Sequence, residues 1–189
     1  DSGAFTATSA KKGGWKGDNW HVWTFEGVTT SEAVTNSSIS YVGKQVDISS
    51  STNANKSVSI GLNNSTLEVL GSDSVDIKIS SASKTAWSNL YGSSIGIQAS
   101  SINSTQGNDK ISISSVSSAA YGGSGYGNDP NSYSYGVFKS NINTFAGDDD
   151  LDITSNLNNK SGNQNSFAVY QSTINTGDGN DSIKLSATG

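Results

Sequence analysis

The chain has no cysteine and no methionine, with one proline and one histidine in 189 residues. Without cysteine there is neither disulfide stapling nor a thiolate metal site. Compartment stays open on that ground, because many exported bacterial proteins also avoid cysteine. Arginine is missing too: all 11 basic residues are lysine, set without a cluster against 16 acidic ones, for a formal charge of -5. A basic footprint for a phosphate backbone is therefore lacking, which excludes nucleic acid as a partner. No apolar run approaches the roughly 18 residues of a membrane-spanning helix, so no membrane span is expected. The N-terminus shows no charged start followed by an apolar stretch. Apolar residues amount to only 32%, and Ser, Asn and 21 Gly dominate the remainder. Composition alone would read as a linker unless the apolar residues are periodic.

They are periodic. Segments 102–113, 142–153 and 174–185 superimpose without a gap. A fourth copy, 67–77, needs a one-residue deletion that sets Asp73 against Asp109, and a fifth, 39–48, keeps only the apolar spacing. Five residues before each central Ile or Leu stands Val34, Leu62, Ile97, Val137 or Val169, and two earlier come Ile60, Ile95, Tyr135 and Phe167. Each repeat thus holds three short alternating segments separated by Ser/Asn or Gly/Asp turns, which predicts strands with one buried face. Measured at the turn glycines 71, 107, 147 and 179, the intervals are 36, 40 and 32 residues.

Strands this short bury too little alone, so each repeat must lie on its neighbour. The expected fold is all-β: a parallel β-solenoid (β-helix) of about five coils with three short strands each. The coils fall near 32–56, 57–92, 93–134, 135–166 and 167–189. At roughly 4.8 Å per coil, five make a core of about 24 Å. Low apolar content then means a narrow core, with Ser and Asn stacked at its corners. Asn103, Asn143 and Asn175 recur at one repeat position and are expected to form an amide ladder.

Residues 1–31 read as a separate N-terminal cap, because Trp15, Trp20, Trp23, Phe5 and Phe25 crowd there and a solenoid end needs covering. The competing reading of Trp20 and Trp23 is an aromatic platform for a sugar. Loops 118–134 and 156–166 absorb the variable spacing at one corner. In the first, Tyr121 and Tyr126 are either part of a tolerated excursion or residues that stack on a partner. The pattern stops soon after a full repeat, so a fragment of a longer repeat protein is expected, with self-association through the open C-terminal end.

The turns carry the most distinctive chemistry. Gly107-Asn108-Asp109, Gly147-Asp148-Asp149-Asp150 and Gly177-Asp178-Gly179-Asn180-Asp181 resemble the Gly-rich nonapeptide of RTX (hemolysin-type) calcium-binding repeats. The resemblance implies calcium held between successive coils by these residues, with Asp73 as a further member. Calcium takes six to eight hard oxygens, and carboxylates stacked about 4.8 Å apart repel unless a cation lies between them. The chain departs from the family in having one such turn per coil instead of two. An Asn/Asp turn ladder, with side chains bonding backbone, stays open beside calcium. Residues 61–189 carry 11 acidic residues and 6 lysines, against 5 and 5 in 1–60, so the net charge belongs to the turn-bearing part.

Catalysis is not expected. Arginine, the usual partner of acidic sugars, is absent, His21 sits among tryptophans outside the coils, and no Gly-x-Ser-x-Gly elbow occurs. A carboxylate pair could be drawn from Asp148, Asp149, Asp150 and Asp152, but a cation-binding turn explains that cluster more simply. The expected function is a calcium-binding structural or adhesive segment of a large secreted or cell-surface bacterial protein. Cell surfaces, polysaccharides or other proteins are its expected partners. A carbohydrate-binding or carbohydrate-cleaving β-helix is the alternative.

Overall fold

The computed structural model describes residues 4–12, 15–17, 23–25, 29–53, 57–85, 92–119, 132–158 and 164–189. Most of its strands belong to five successive coils. The chain opens with β1 (Ala4–Lys12), then an antiparallel pair, β2 (Trp15–Gly17) and β3 (Trp23–Phe25). The first coil is β4 (Thr29–Thr35), β5 (Ser38–Tyr41) and β6 (Gln45–Asn53). The second is β7 (Ser57–Asn63), β8 (Thr66–Val69) and β9 (Asp76–Thr85). The third is β10 (Gly92–Gln98), β11 (Ser101–Asn103) and β12 (Lys110–Ala119), and the fourth is β13 (Ser132–Phe138), β14 (Asn141–Asn143) and β15 (Asp150–Asn158). β16 (Gln164–Tyr170), β17 (Thr173–Asn175) and β18 (Ser182–Thr188) make the fifth.

Equivalent strands pair in parallel and in register, giving three sheets. Sheet I is β4-β7-β10-β13-β16, sheet II is β5-β8-β11-β14-β17, and sheet III is β1-β6-β9-β12-β15-β18. This is the all-β parallel solenoid of about five coils that the repeats predict. One strand of the stack lies inside segment 1–31: β1 pairs with β6 along its whole length, with Phe5 beside Val46 and Ala7 beside Ile48. Residues 29–31 also belong to β4, so the 31/32 boundary falls within a strand. Trp20, His21, Tyr121 and Tyr126 lie outside the described residues, as does the side chain of Trp23.

The interior has two halves. Next to sheet II it is apolar: Leu62, Leu67, Ile77, Ile97, Ile102, Ile111, Ile142 and Leu151 are fully buried and stack in axial rows. Between sheets I and III it is hydroxyl. Ser50 donates to the Ser31 carbonyl, Ser81 meets Ser94 at 2.6 Å, Ser115 meets Ser134 at 2.7 Å and Ser155 meets Ser166 at 2.9 Å. Serine therefore fills core as well as corners. These serine hydroxyls can stay inside because each of them finds a partner there, which removes the desolvation cost of burying it; Thr52 Oγ1, further along the inward row of β6, is buried without one. The inward row of sheet III reads Val46-x-Ile48-x-Ser50, Ile77-x-Ile79-x-Ser81, Ile111-x-Ile113-x-Ser115 and Leu151-x-Ile153-x-Ser155. In the fifth coil the same row holds Ile183 and Leu185, which are 48% and 52% exposed.

Sheet I bends where its inward alternation skips a residue. Small residues occupy the skip: Gly61, Gly96, Gly136 and Ala168. A Cβ on Gly136 would lie 2.5 Å from the Ala168 carbonyl oxygen and 2.6 Å from Ile153 Cγ2. At the next corner, between sheets I and II, Asn36, Asn64, Ala99, Lys139 and Gln171 take positive φ. A serine follows each. Ser65, Ser100 and Ser140 donate their hydroxyls to Asn63, Gln98 and Phe138 carbonyls within the coil. Each of those hydroxyls also accepts the N–H of the preceding coil's serine, Ser37, Ser65 and Ser100 respectively.

Candidate functional site

The Gly/Asp turns link sheet II to sheet III, so they stack into one edge of the rod. Their geometry follows from how closely successive turns lie. A Cβ on Gly107 would approach Ser74 N at 2.6 Å and the Asp73 carbonyl carbon at 2.8 Å. Gly147, at φ 121°, adopts a backbone conformation that side chains disfavour, and it rests on the backbone of Gly107. These glycines allow turn-on-turn contact.

The acidic residues fasten that contact. Asp109 is 2% exposed and Asp149 1%. Asp109 Oδ1 accepts the Val75 N–H at 2.9 Å and the Thr105 hydroxyl at 2.7 Å, while Oδ2 accepts the Thr105 N–H at 2.9 Å. One coil on, Asp149 Oδ1 accepts the Asp109 N–H at 2.8 Å, and Asp181 Oδ1 accepts the Asp149 N–H at 3.1 Å. A second, exposed row runs in the opposite sense. The Asp148 N–H donates back to Asn108 Oδ1 at 2.9 Å, and the Asn180 N–H donates back to Asp148 Oδ1 at 2.8 Å. The turns of the third, fourth and fifth coils are thus bonded to one another in both directions. Of the expected amide ladder one rung is present beside them, with Asn143 Nδ2 donating to Asn103 Oδ1 at 2.9 Å, while Asn175 Oδ1 accepts the Gly177 N–H at 3.3 Å.

Burial raises the Asp149 carboxyl above its ordinary pKa of 3.8. The Thr144 hydroxyl and the Asp109 N–H pull it back, while the Asp109 and Asp181 charges push the same way as burial. Asp149 Oδ2 is buried without a hydrogen-bond partner.

Asp73 does not join this column. Hydrogen bonding places Val75, not Asp73, opposite Asp109: Lys110 N donates to the Val75 carbonyl, and Ile77 and Ile79 lie beside Ile111 and Ile113. Asp73 is exposed and faces Lys44 Nζ at 3.5 Å. Aligning the glycines sets this coil two residues out of register downstream, and a two-residue slip keeps every side chain on its own face. Asp150 and Asp178 are exposed. Asp150 stands on sheet III between Lys110 and Ser182, and the backbone of Asp178 bridges Ala146.

Calcium does not fit this column. The carboxylates of Asp109, Asp149 and Asp181 each point at a backbone N–H of the preceding coil, and no three acidic side chains converge on one point among the described residues. A lone free oxygen on Asp149 is far from the six to eight that calcium requires. The glycines that would aim carbonyls at a metal are instead packed on the neighbouring turn. The hydrogen bonds of this column are those of a side-chain ladder.

The sequence reading passed over two features of the site's frame: the small residue at the sheet I bend and the inward serine pair. Both leave a signal, apolar-Gly-apolar at 60–62, 95–97 and 135–137, and the Ile-x-Ile-x-Ser row. Compared with protein-family models, curated proteins and solved structures, the chain matches none.

Proposed function

We propose that the chain is a non-catalytic, stiff β-solenoid segment of a secreted or cell-surface protein of the adhesin, surface-layer or matrix type. The supporting observation is the Asp109–Asp149–Asp181 column, in which the repeated acidic residue bonds backbone of the adjacent coil. Buried carboxylates engaged in this way are withdrawn from any substrate. Their work is axial: together with the corner serines they tie each coil to the next along the direction in which a projecting rod is loaded. Length and stiffness are what such a stack supplies, and a metal is not needed for either in this reading.

Thermal melting in saturating calcium and in chelator tests it. The expected result is one Tm for both conditions and a lower one for Asp109→Ala. A rise in Tm with calcium that Asp149→Ala abolishes would overturn the metal-free ladder. Release of reducing ends from a polysaccharide, lost in Asp148→Asn, would overturn the non-catalytic reading.

A further inference from the structure

Along the corner between sheets I and II runs a shallow groove of about 600 Å³, formed by residues of four successive coils. It exists because the positive-φ residue turns the chain outward at each coil while the following serine tucks in. The serine hydroxyls form the floor and are spent on backbone. The rims carry outward amides and hydroxyls, among them Asn64, Ser38, Ser101 and Asn141. Asn64 Nδ2 donates to Asn36 Oδ1 at 2.6 Å, leaving Asn64 Oδ1 and Asn36 Nδ2 to solvent. The result is a row of neutral donors and acceptors repeating at the coil rise of roughly 4.8 Å.

One end of the groove is different. Lys139 is its single ionisable lining residue, and its ammonium sits 5.1 Å from the centre of the Phe138 ring. Phe138 stacks on Tyr135 at 5.0 Å and on Tyr170 at 5.8 Å, and Phe167 continues the wall. Phe167 and Tyr170 are 38% and 37% exposed. In the earlier coils the row of Phe138 and Tyr170 holds Asn63 and Gln98, so among the described residues this outward row of sheet I turns aromatic in the fourth and fifth coils, beside Lys139 and next to the groove. Packing of the coils does not call for them, because the core lies on the other face of the sheet.

A ligand for this surface must be uncharged, rich in hydroxyls, periodic along the axis, and able to offer an apolar ring face to an aromatic wall. A linear chain of neutral pyranoses has each property. Its hydroxyls match amide and hydroxyl rims, its C–H faces match aromatic rings, and its advance per sugar is close to one coil rise. A polyanion is disfavoured by the net charge of -5. We infer that this groove binds a linear, uncharged glycan laid along the solenoid axis, with Tyr170 and Phe138 holding one terminal sugar. The site goes beyond the structural reading above: a rod needs no groove, and removing the glycan leaves every inter-coil bond intact.

The test is an NMR titration of the chain with xylohexaose and with cellohexaose, using an oligogalacturonate of the same length as the charged counterpart. Shifts are expected at Asn64, Ser101, Asn141 and Tyr170 with a neutral hexamer, at a Kd on the order of 1 mM or tighter. Asn141→Ala and Tyr170→Ala should each weaken binding about tenfold while the remaining shifts keep the dispersion of the folded chain. No shift with either neutral hexamer, shifts that survive both substitutions, or preference for the galacturonate would overturn the inference. None of these outcomes bears on melting with calcium, so the two readings fail separately.

Discussion

Asp149 Oδ1 accepts the backbone N–H of Asp109, 40 residues earlier in the chain, at 2.8 Å. The same atom pair recurs one coil on either side, from Val75 to Asp109 and from Asp149 to Asp181. A side chain therefore substitutes for a backbone carbonyl at this level of the turn. Joining coils this way needs an acceptor on every coil and no bound ion.

Removing the acceptor should cost stability. Asp149→Ala leaves the buried Asp109 N–H unpaired, a loss of about 1–3 kcal/mol. Asp149→Asn keeps Oδ1 and is expected to cost clearly less. Urea denaturation at neutral pH measures both, and equal losses would show that the acceptor is not what matters.

Asp149 also sets a pH dependence. Its carboxyl is raised above 3.8 by burial, so the folded state holds this proton more tightly than the unfolded chain does. The sign follows: between 3.8 and the raised folded value the native state binds more protons, and stability from this group falls as pH rises. Above that window the charged form carries a constant penalty. Stability of the parent relative to the Asp149→Asn variant should therefore decline across acid pH and level off near neutrality. A difference that grows with pH would refute the assignment.

The serine seam should behave as a coupled pair. Ser115 Oγ donates to the Ser94 carbonyl at 2.7 Å and shares a hydrogen bond with Ser134 Oγ at 2.7 Å. Ser115→Ala and Ser134→Ala are each expected to cost about 1 kcal/mol. The double variant should cost at least about 0.5 kcal/mol less than their sum, because both substitutions remove one shared bond. Strict additivity would mean that the seam is only space-filling.

In the three inner coils the bend in sheet I has no room for a side chain. Gly136→Ala should destabilise by about 1–3 kcal/mol through contact with Ile153 Cγ2 and the Ala168 carbonyl. Ala168→Gly, at the same position of the fifth coil, is expected to cost no more than about 1 kcal/mol of backbone entropy. Comparing the two by thermal denaturation separates crowding from flexibility.

Much of this fold is legible in period and spacing. Ile102, Ile142 and Ile174 repeat with their turns, and that repeat is sufficient to place three strands per coil. What escaped did so for physical reasons. The slip at Val75 is by two residues, and a strand's alternation is blind to a shift that returns each side chain to its own face; only the longer Ile77-x-Ile79-x-Ser81 row separates the two registers. Strand β1 carries the same row as Phe5-x-Ala7-x-Ser9, but the nearby tryptophans draw attention to a cap. At the site, Asp109, Asp149 and Asp181 are readable as a column, while the direction in which their oxygens point is not. A glycine that frees a carbonyl for a metal and a glycine that lets two turns touch are written with the same letter.

The hydroxyl half of the interior bears on what happens when the rod comes apart. Melting it wets fewer hydrocarbon groups than melting an ordinary domain of this length, so its heat-capacity increment should fall below the usual 12–15 cal/mol/K per residue, roughly. A small increment flattens the curve of stability against temperature. It also means that an unwound chain, with serines where other proteins have leucines, has little that is sticky to offer its neighbours. Such a chain can wait in solution and wind up again coil upon coil.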